Sequence, residues 1–259
     1  MAVSSERAGD GVAVVTVHYP PVNAVPVQGW FDLADVVRAA GEDASVRAVV
    51  LRAEGRGFCA GIDIKEVQRE AGYDALVGAN RGCYAAFSAV YHCAVPVVAA
   101  VRGFCLGGGV GIVGNADIVV AADDATFAVP EVDRGALGAA THLSRLVPQH
   151  LMRALYYTGR SVTAQEVHAH GGVYSVVPRD SVDDEAMTLA GEIAAKDGTV
   201  LRAAKQALNG IDPVDVDRSY RFEQGFTFEL NLTGVSDSAR QAFLDRQSID
   251  RDGSRTWTR

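Results

Sequence analysis

Two glycine-rich turns, Gly57-Phe58-Cys59-Ala60-Gly61-Ile62-Asp63 and Gly103-Phe104-Cys105-Leu106-Gly107-Gly108-Gly109, each follow a short apolar run. Glycine lets a backbone turn its N–H groups toward a ligand, and a helix starting just beyond adds the positive end of its dipole. The first turn leads into Ile64-Lys65-Glu66-Val67 and the second into Val110 to Gly114, both readable as helix starts. Donors from two separate turns can thus converge on one negatively charged oxygen. Acid–base candidates lie further along. Glu131 follows Pro130 at the end of a strand-like run, a place from which a carboxylate can face a pocket. Asp133 and Arg134 read either as a surface ion pair or as a polar wall that orients water or substrate. His142, beside Thr141, reads as a packed or capping residue or as a base.

Other chemistries fit less well. Gly109-Val110-Gly111-Ile112-Val113-Gly114 has the dinucleotide spacing, but that fingerprint follows its strand at once inside the first strand–helix–strand unit. Here the glycines come well after Val101, which favours a glycine-faced helix that other backbone or a flat ligand can approach closely. Neither a phosphate-binding loop ending in Gly-Lys-Ser/Thr nor a Gly-x-Ser-x-Gly elbow occurs. The four cysteines, Cys59, Cys83, Cys93 and Cys105, lack metal-ligand spacing and read as reduced core thiols of a cytoplasmic protein; no metal site is expected.

The 259 residues are 48% hydrophobic, enough for one substantial core. Lys and Arg number 24 against 32 Asp and Glu, a net charge of −8 with no lysine-rich block, which argues against nucleic acid as a partner. No apolar stretch reaches the roughly 20 residues needed to span a bilayer, and residues 1–10 lack the apolar centre of a signal peptide.

The elements that must position the turns follow from periodicity. Val12 to Tyr19 reads as a strand ended by Pro20-Pro21, and Gly29 to Ala40 as a helix with Trp30, Leu33, Val36 and Val37 on one stripe. Arg47 to Ala53, with its apolar core Ala48-Val49-Val50-Leu51, and Val95 to Val101 are short apolar runs, as in strands covered on both faces, with a long helix from Asp74 to His92 between them. That order predicts parallel α/β units with right-handed crossovers. Short strands are expected at Ile118 to Ala121 and Thr126 to Val129. Helices dominate after Gly138. Thr163 to Glu166 is a capping box, Tyr174 to Val177 a small strand, and helices are expected from Ser181 through Lys196, Thr199 to Asn209, Asp215 to Leu232 and Ser236 to Gln247. Asp250 to Arg259 is polar and expected to fray. The sequence carries no internal repeat.

On these motifs the chain resembles the crotonase, or enoyl-CoA hydratase/isomerase, superfamily over residues 10–247. The anchors are Pro21-Val22-Asn23-Ala24, the turn Arg56 to Lys65, the turn Gly103 to Gly109, and Pro130-Glu131. The resemblance implies an α/β fold, a spiral of ββα units in residues 1–195. A helical region at 196–247 would cover the site and form a homotrimer or dimer of trimers, and 248–259 would be a polar tail. It implies an acyl-CoA substrate, with coenzyme A as part of the thioester and no permanently bound cofactor. The amides of Ile62 and Gly108 would form an oxyanion hole, where each preorganised donor is worth roughly 10²- to 10³-fold in rate. Ala24, Ala60, Ile64 and Lys65 would line the path of the CoA adenine and pantetheine.

One departure matters. Glu131 matches one catalytic glutamate of the hydratases, but their other glutamate falls at Gly111. Hydration is explained by two carboxylates sharing one water, one as base and one as proton donor, so its absence turns the expectation elsewhere. The run Pro130 to Leu146, with Phe226 to Asn231, resembles the branch of actinobacterial hydrolases that open the last rings of the steroid nucleus as CoA thioesters. That resemblance implies attack of water on a ring ketone and C–C cleavage, with Glu131 as base, Asp133, Arg134 or His142 as helpers, and room beside Gly111 for a rigid bicycle. An enoyl-CoA hydratase or isomerase working through Glu131 alone and a non-catalytic CoA-binding protein are the alternatives.

Overall fold

Along the long apolar strands alternate residues face opposite sides of one sheet, so both sides must be covered. A computed structural model describes residues 2–70 and 72–251, and the tail at 252–259 lies outside the described residues. Strand β1 (Val3–Arg7) pairs antiparallel with β2 (Val12–Val17). From β2 onward one unit recurs: a long strand, a short strand in a second layer, then helix. The first unit is β2, β3 (Ala24–Val25) and α1 (Val27–Glu42). The second is β4 (Ala48–Ala53), β5 (Gly61–Ile62), α2 (Ile64–Arg69) and α3 (Asp74–Tyr91). The third is β6 (Val97–Val101), β7 (Phe104–Leu106) and the short α4 (Gly108–Val113).

The last long strands are β8 (Ile118–Ala122), followed by β9 (Thr126–Ala128) and a 3-10 turn at Glu131–Arg134. Helices α5 (Ala140–Leu143) and α6 (Gln149–Thr158), strand β10 (Val162–Thr163), helix α7 (Ala164–Ala169) and strand β11 (Ser175–Val177) come next. Helices α8 (Val182–Ala194), α9 (Gly198–Gly210), α10 (Val216–Leu232) and α11 (Val235–Arg251) complete the described chain. The sheet order is β1-β2-β4-β6-β8-β11, parallel from β2 onward, and the short strands form a second layer as β3-β5 and β10-β9-β7. The ββα unit therefore repeats in space without repeating in sequence.

The alternation decides what covers each face. Ala13, Val15, Val17, Val49 and Leu51 pack with Trp30 and Leu33 of α1 and Phe87 and Val90 of α3. Val12, Val14, Ala48, Val50, Val98 and Ala100 instead meet Val182, Ala186, Ala190 and Ala194, one small residue per turn of α8. Helix α11 runs on to Arg251, past the end expected at Gln247.

Candidate active site

The two glycine turns meet because the segments leading into them pair. Phe58 N and Cys59 N donate to Phe104 O (2.9 and 3.3 Å), and Leu106 N donates to Cys59 O (2.8 Å). The buried Asn23 fixes the first turn from below, donating to Glu54 O (2.7 Å) and Gly57 O (3.0 Å) while accepting from Tyr19 N (2.7 Å). At the tips the amide nitrogen of Gly108 stands 3.4 Å from where a side chain on Gly61 would begin. Asp63 N donates to Val25 O in the β3–β5 pair, so the strand alternation turns the Ile62 N–H away from β3. Gly108 opens α4, where the first amides have no partner within the helix. The Trp30 ring, anchored by Nε1 to Val25 O (3.1 Å), backs Gly108.

These turns form one end of a pocket. Ala60, Ile62 and Ile64 line it from the first turn, and Leu106, Gly107 and Gly108 from the second. Helix α3 contributes Ala79, Asn80, Cys83 and Phe87; α10 contributes Tyr220 and Thr227; α11 contributes Arg240. Ala24 and Lys65 are not among the lining residues. Ala24 is registered with Gly61 in the short layer, and Lys65 follows Ile64 on α2, where Asp63 caps its backbone N–H (3.0 Å).

Glu131 and Arg134 reach the pocket from the 3-10 turn. A side chain at position 107 would collide with Glu131 Oε1; Gly107, with φ 53°, leaves that space to the carboxyl group. Glu131 Oε2 is buried without a hydrogen-bond partner. Burial pushes the Glu131 carboxyl up to about 8, against the pull of Arg134 and with a further push from Glu223. A carboxyl group held in that range can change its protonation state near neutral pH, which suits a group that takes up a proton and gives it back.

The other acid–base candidates lie elsewhere. Asp133 is exposed and packs over Gly159, at the end of α6, away from the pocket lining. His142 is fully buried behind the pocket, with ring centroids 4.9 Å from Phe87 and 4.8 Å from Tyr220. Asn115 Nδ2 stands 3.1 Å from its Nδ1, and burial pulls its pKa down to about 3. It is thus a neutral ring that supports the aromatic wall.

The room expected beside Gly111 is also corrected. A side chain there would run into the Phe87 ring, which fills the space and lines the pocket. Gly111 makes room for an aromatic wall rather than for ligand.

Glu223 was not legible as a site residue. From α10 it accepts Ala140 N (3.0 Å), Thr141 N (2.6 Å) and the Thr141 hydroxyl, capping α5 beside the lining residues Gly138 and Ala139. Its signal was helical spacing with Tyr220 and Thr227, three and four residues away. Thr227 secures the same wall, donating to Leu137 O (2.6 Å) and accepting from Leu137 N (2.9 Å).

The pocket so built joins two backbone donors, one proton-holding carboxyl and an apolar wall. Comparison with known proteins matches residues 7–248 to the family model described as Enoyl-CoA hydratase/isomerase. The chain is similar to the (7aS)-7a-methyl-1,5-dioxo-2,3,5,6,7,7a-hexahydro-1H-indene-carboxyl-CoA hydrolase of Rhodococcus jostii, with 65% identity over 245 residues, 95% of each chain. It is similar to the protein of the same name from Mycobacterium tuberculosis at 62% over 246 residues, 95% of this chain and 100% of that one. Among solved structures, an enoyl-CoA hydratase/isomerase from Xanthobacter autotrophicus superposes with a TM-score of 0.85 at 29% identity, covering 98% of this chain and 94% of that one.

Proposed function

The chain belongs to the enoyl-CoA hydratase/isomerase family, and from that premise we propose that it hydrolyses a carbon–carbon bond in a fused-ring diketone carried as a CoA thioester, a step of steroid degradation. The substrate class follows from the hydrolases it resembles, whose name puts two ring ketones and a thioester on one bicycle. The observation that carries the reading within the pocket is Phe87 filling the space beside Gly111, the position where the resemblance to two-carboxylate hydratases would put their second acid.

The geometry supports one order of steps. The thioester oxygen takes the amide N–H groups of Ile62 and Gly108. Glu131, once ionised, removes a proton from water as the water oxygen attacks a ring ketone carbon. The tetrahedral adduct collapses, re-forming the C=O and breaking the ring C–C bond. The released electron pair is delocalised into the thioester, where Ile62 and Gly108 hold the enolate oxygen. Glu131 returns its proton to carbon. Water is consumed, a carboxylate and a new C–H bond appear, and no redox partner is needed. An apolar wall of Phe87 and Tyr220 suits a rigid hydrocarbon bicycle, while Ala60 and Ile64 fit the pantetheine arm.

Exposed apolar residues on the C-terminal helices, among them Phe222, Phe226 and Leu232, support assembly with further copies of this chain through the 196–247 region. The four buried free thiols suit a reducing cytoplasm.

Glu131→Gln tests the reading. The amide keeps the shape but cannot take the proton, so ring opening should fall by roughly 10²- to 10⁴-fold with CoA-thioester binding retained. The wild-type rate should rise with pH toward a plateau above about 8, because the ionised form of Glu131 is the base. An unchanged rate in the variant would overturn the assignment.

A further inference from the structure

Two cations line the pocket among the described residues, and the mechanism above uses neither. They are held differently. Arg240 is occupied: Nε donates to Gln68 Oε1 (3.1 Å), Nη1 to Asn231 Oδ1 (2.8 Å), and Nη2 stands 3.7 Å from Asp237. Arg134 donates from Nη1 to Pro130 O (2.9 Å), and its guanidinium lies 4.3 Å from the Phe243 ring centroid. Among the described residues no carboxylate closes to ion-pair distance on Arg134, although Glu131 and Asp133 stand near enough to favour its charge against burial. A guanidinium taken partly out of water with unspent N–H groups is costly until an anion meets it.

The ring-opening reading, on which this inference rests, supplies that anion. Attack on the ring ketone turns a neutral oxygen into an alkoxide, and cleavage leaves a carboxylate on the same carbon. The thioester donors, Ile62 and Gly108, are committed to the other charge. Glu131 is itself acidic and gives a second anion no help. We propose that Arg134 is a second anion site, holding the ring-ketone oxygen as it becomes the tetrahedral oxyanion and then the product carboxylate. The new C–O bond forms as the carbonyl pair moves onto the oxygen that Arg134 holds. Collapse returns that pair to the C=O and sends the ring C–C pair toward the thioester. The planar fork matches the two carboxylate oxygens of the product, a geometry that a lysine cannot reproduce.

The experiment compares binding and turnover. Calorimetry on the wild-type protein measures the ring-opened CoA product against the same compound with its new carboxylate converted to a carboxamide. The carboxylate should bind at least about tenfold more tightly; equal or weaker binding overturns the proposal. Arg134→Met should erase that preference and lower kcat/KM for ring opening by roughly 10²-fold. Arg134→Lys should recover part of the preference. A preference that survives in Arg134→Met overturns the assignment to this residue, and the wild-type comparison stands even if a variant fails to fold. If the wild type opens no ring, the reaction class fails, while the carboxylate preference still decides for or against the anion site.

Discussion

Glu131 is a carboxyl group held where ionising is expensive, and the cost has a sign that can be measured. Its pKa rises from 4.5 to about 8 on folding. Between those values the native chain keeps a proton that the unfolded chain has released, so stability falls as pH rises through the window. Glutamine carries no such charge. Glu131→Gln should therefore unfold at a temperature close to wild type at pH 4.5 and roughly 3–8 °C higher at pH 8.5, and a gap that does not widen with pH would contradict the burial account. Much at this scale was legible. A glutamate after Pro130 at a strand end faces the pocket, as does Arg134, and the glycine turns converge as their composition implies. For Asp133 and His142 the sequence left two readings open, and the structure takes the non-catalytic one of each: Asp133 points off the 3-10 turn onto Gly159, about a third of a turn from Arg134, and His142 packs behind Phe87, a neighbour from another helix with no local signature. Gly111 shows the same limit: its neighbour in space, Phe87, is on another helix.

The elements were easier to read than their ends. Continuous apolar runs became β4 and β6, and the stripe around Trp30 and Leu33 became α1, since burial on both faces or on one leaves a different period. Strand β1 gave no such signal, because only Val3 of its five residues is buried. Helix α10 has the largest hidden role. It closes the pocket with Tyr220 and Thr227 and ties the 137–141 wall through Glu223 and Thr227. Glu223→Ala leaves the Ala140 and Thr141 amides without their acceptor, so it should cost about 1–3 kcal/mol in urea unfolding. Glu223→Gln, which keeps one acceptor oxygen, should cost less. Equal stability of the alanine variant and wild type would mean that α10 does not hold this wall.

At the scale of the molecule, three ββα units deliver the parts of the site to one place. The second unit brings Ile62 at the end of β5, and the third brings Gly108 at the start of α4. The successive strands β8 and β9, one in each layer, lead to Glu131 and Arg134, and α10 and α11 close over them. The repeat was invisible as sequence similarity because each unit keeps only the pattern of burial, not its residues. The central claim is that water opens a ring rather than adding across a double bond. The most direct measurement incubates the protein with a fused-ring diketo-CoA thioester in ¹⁸O-labelled water and locates the label by mass spectrometry, with crotonyl-CoA as a parallel substrate. The account predicts an opened ring with one solvent oxygen in a new carboxylate, lost in Glu131→Gln, and little hydration of crotonyl-CoA. An intact bicycle together with brisk hydration of crotonyl-CoA would contradict it.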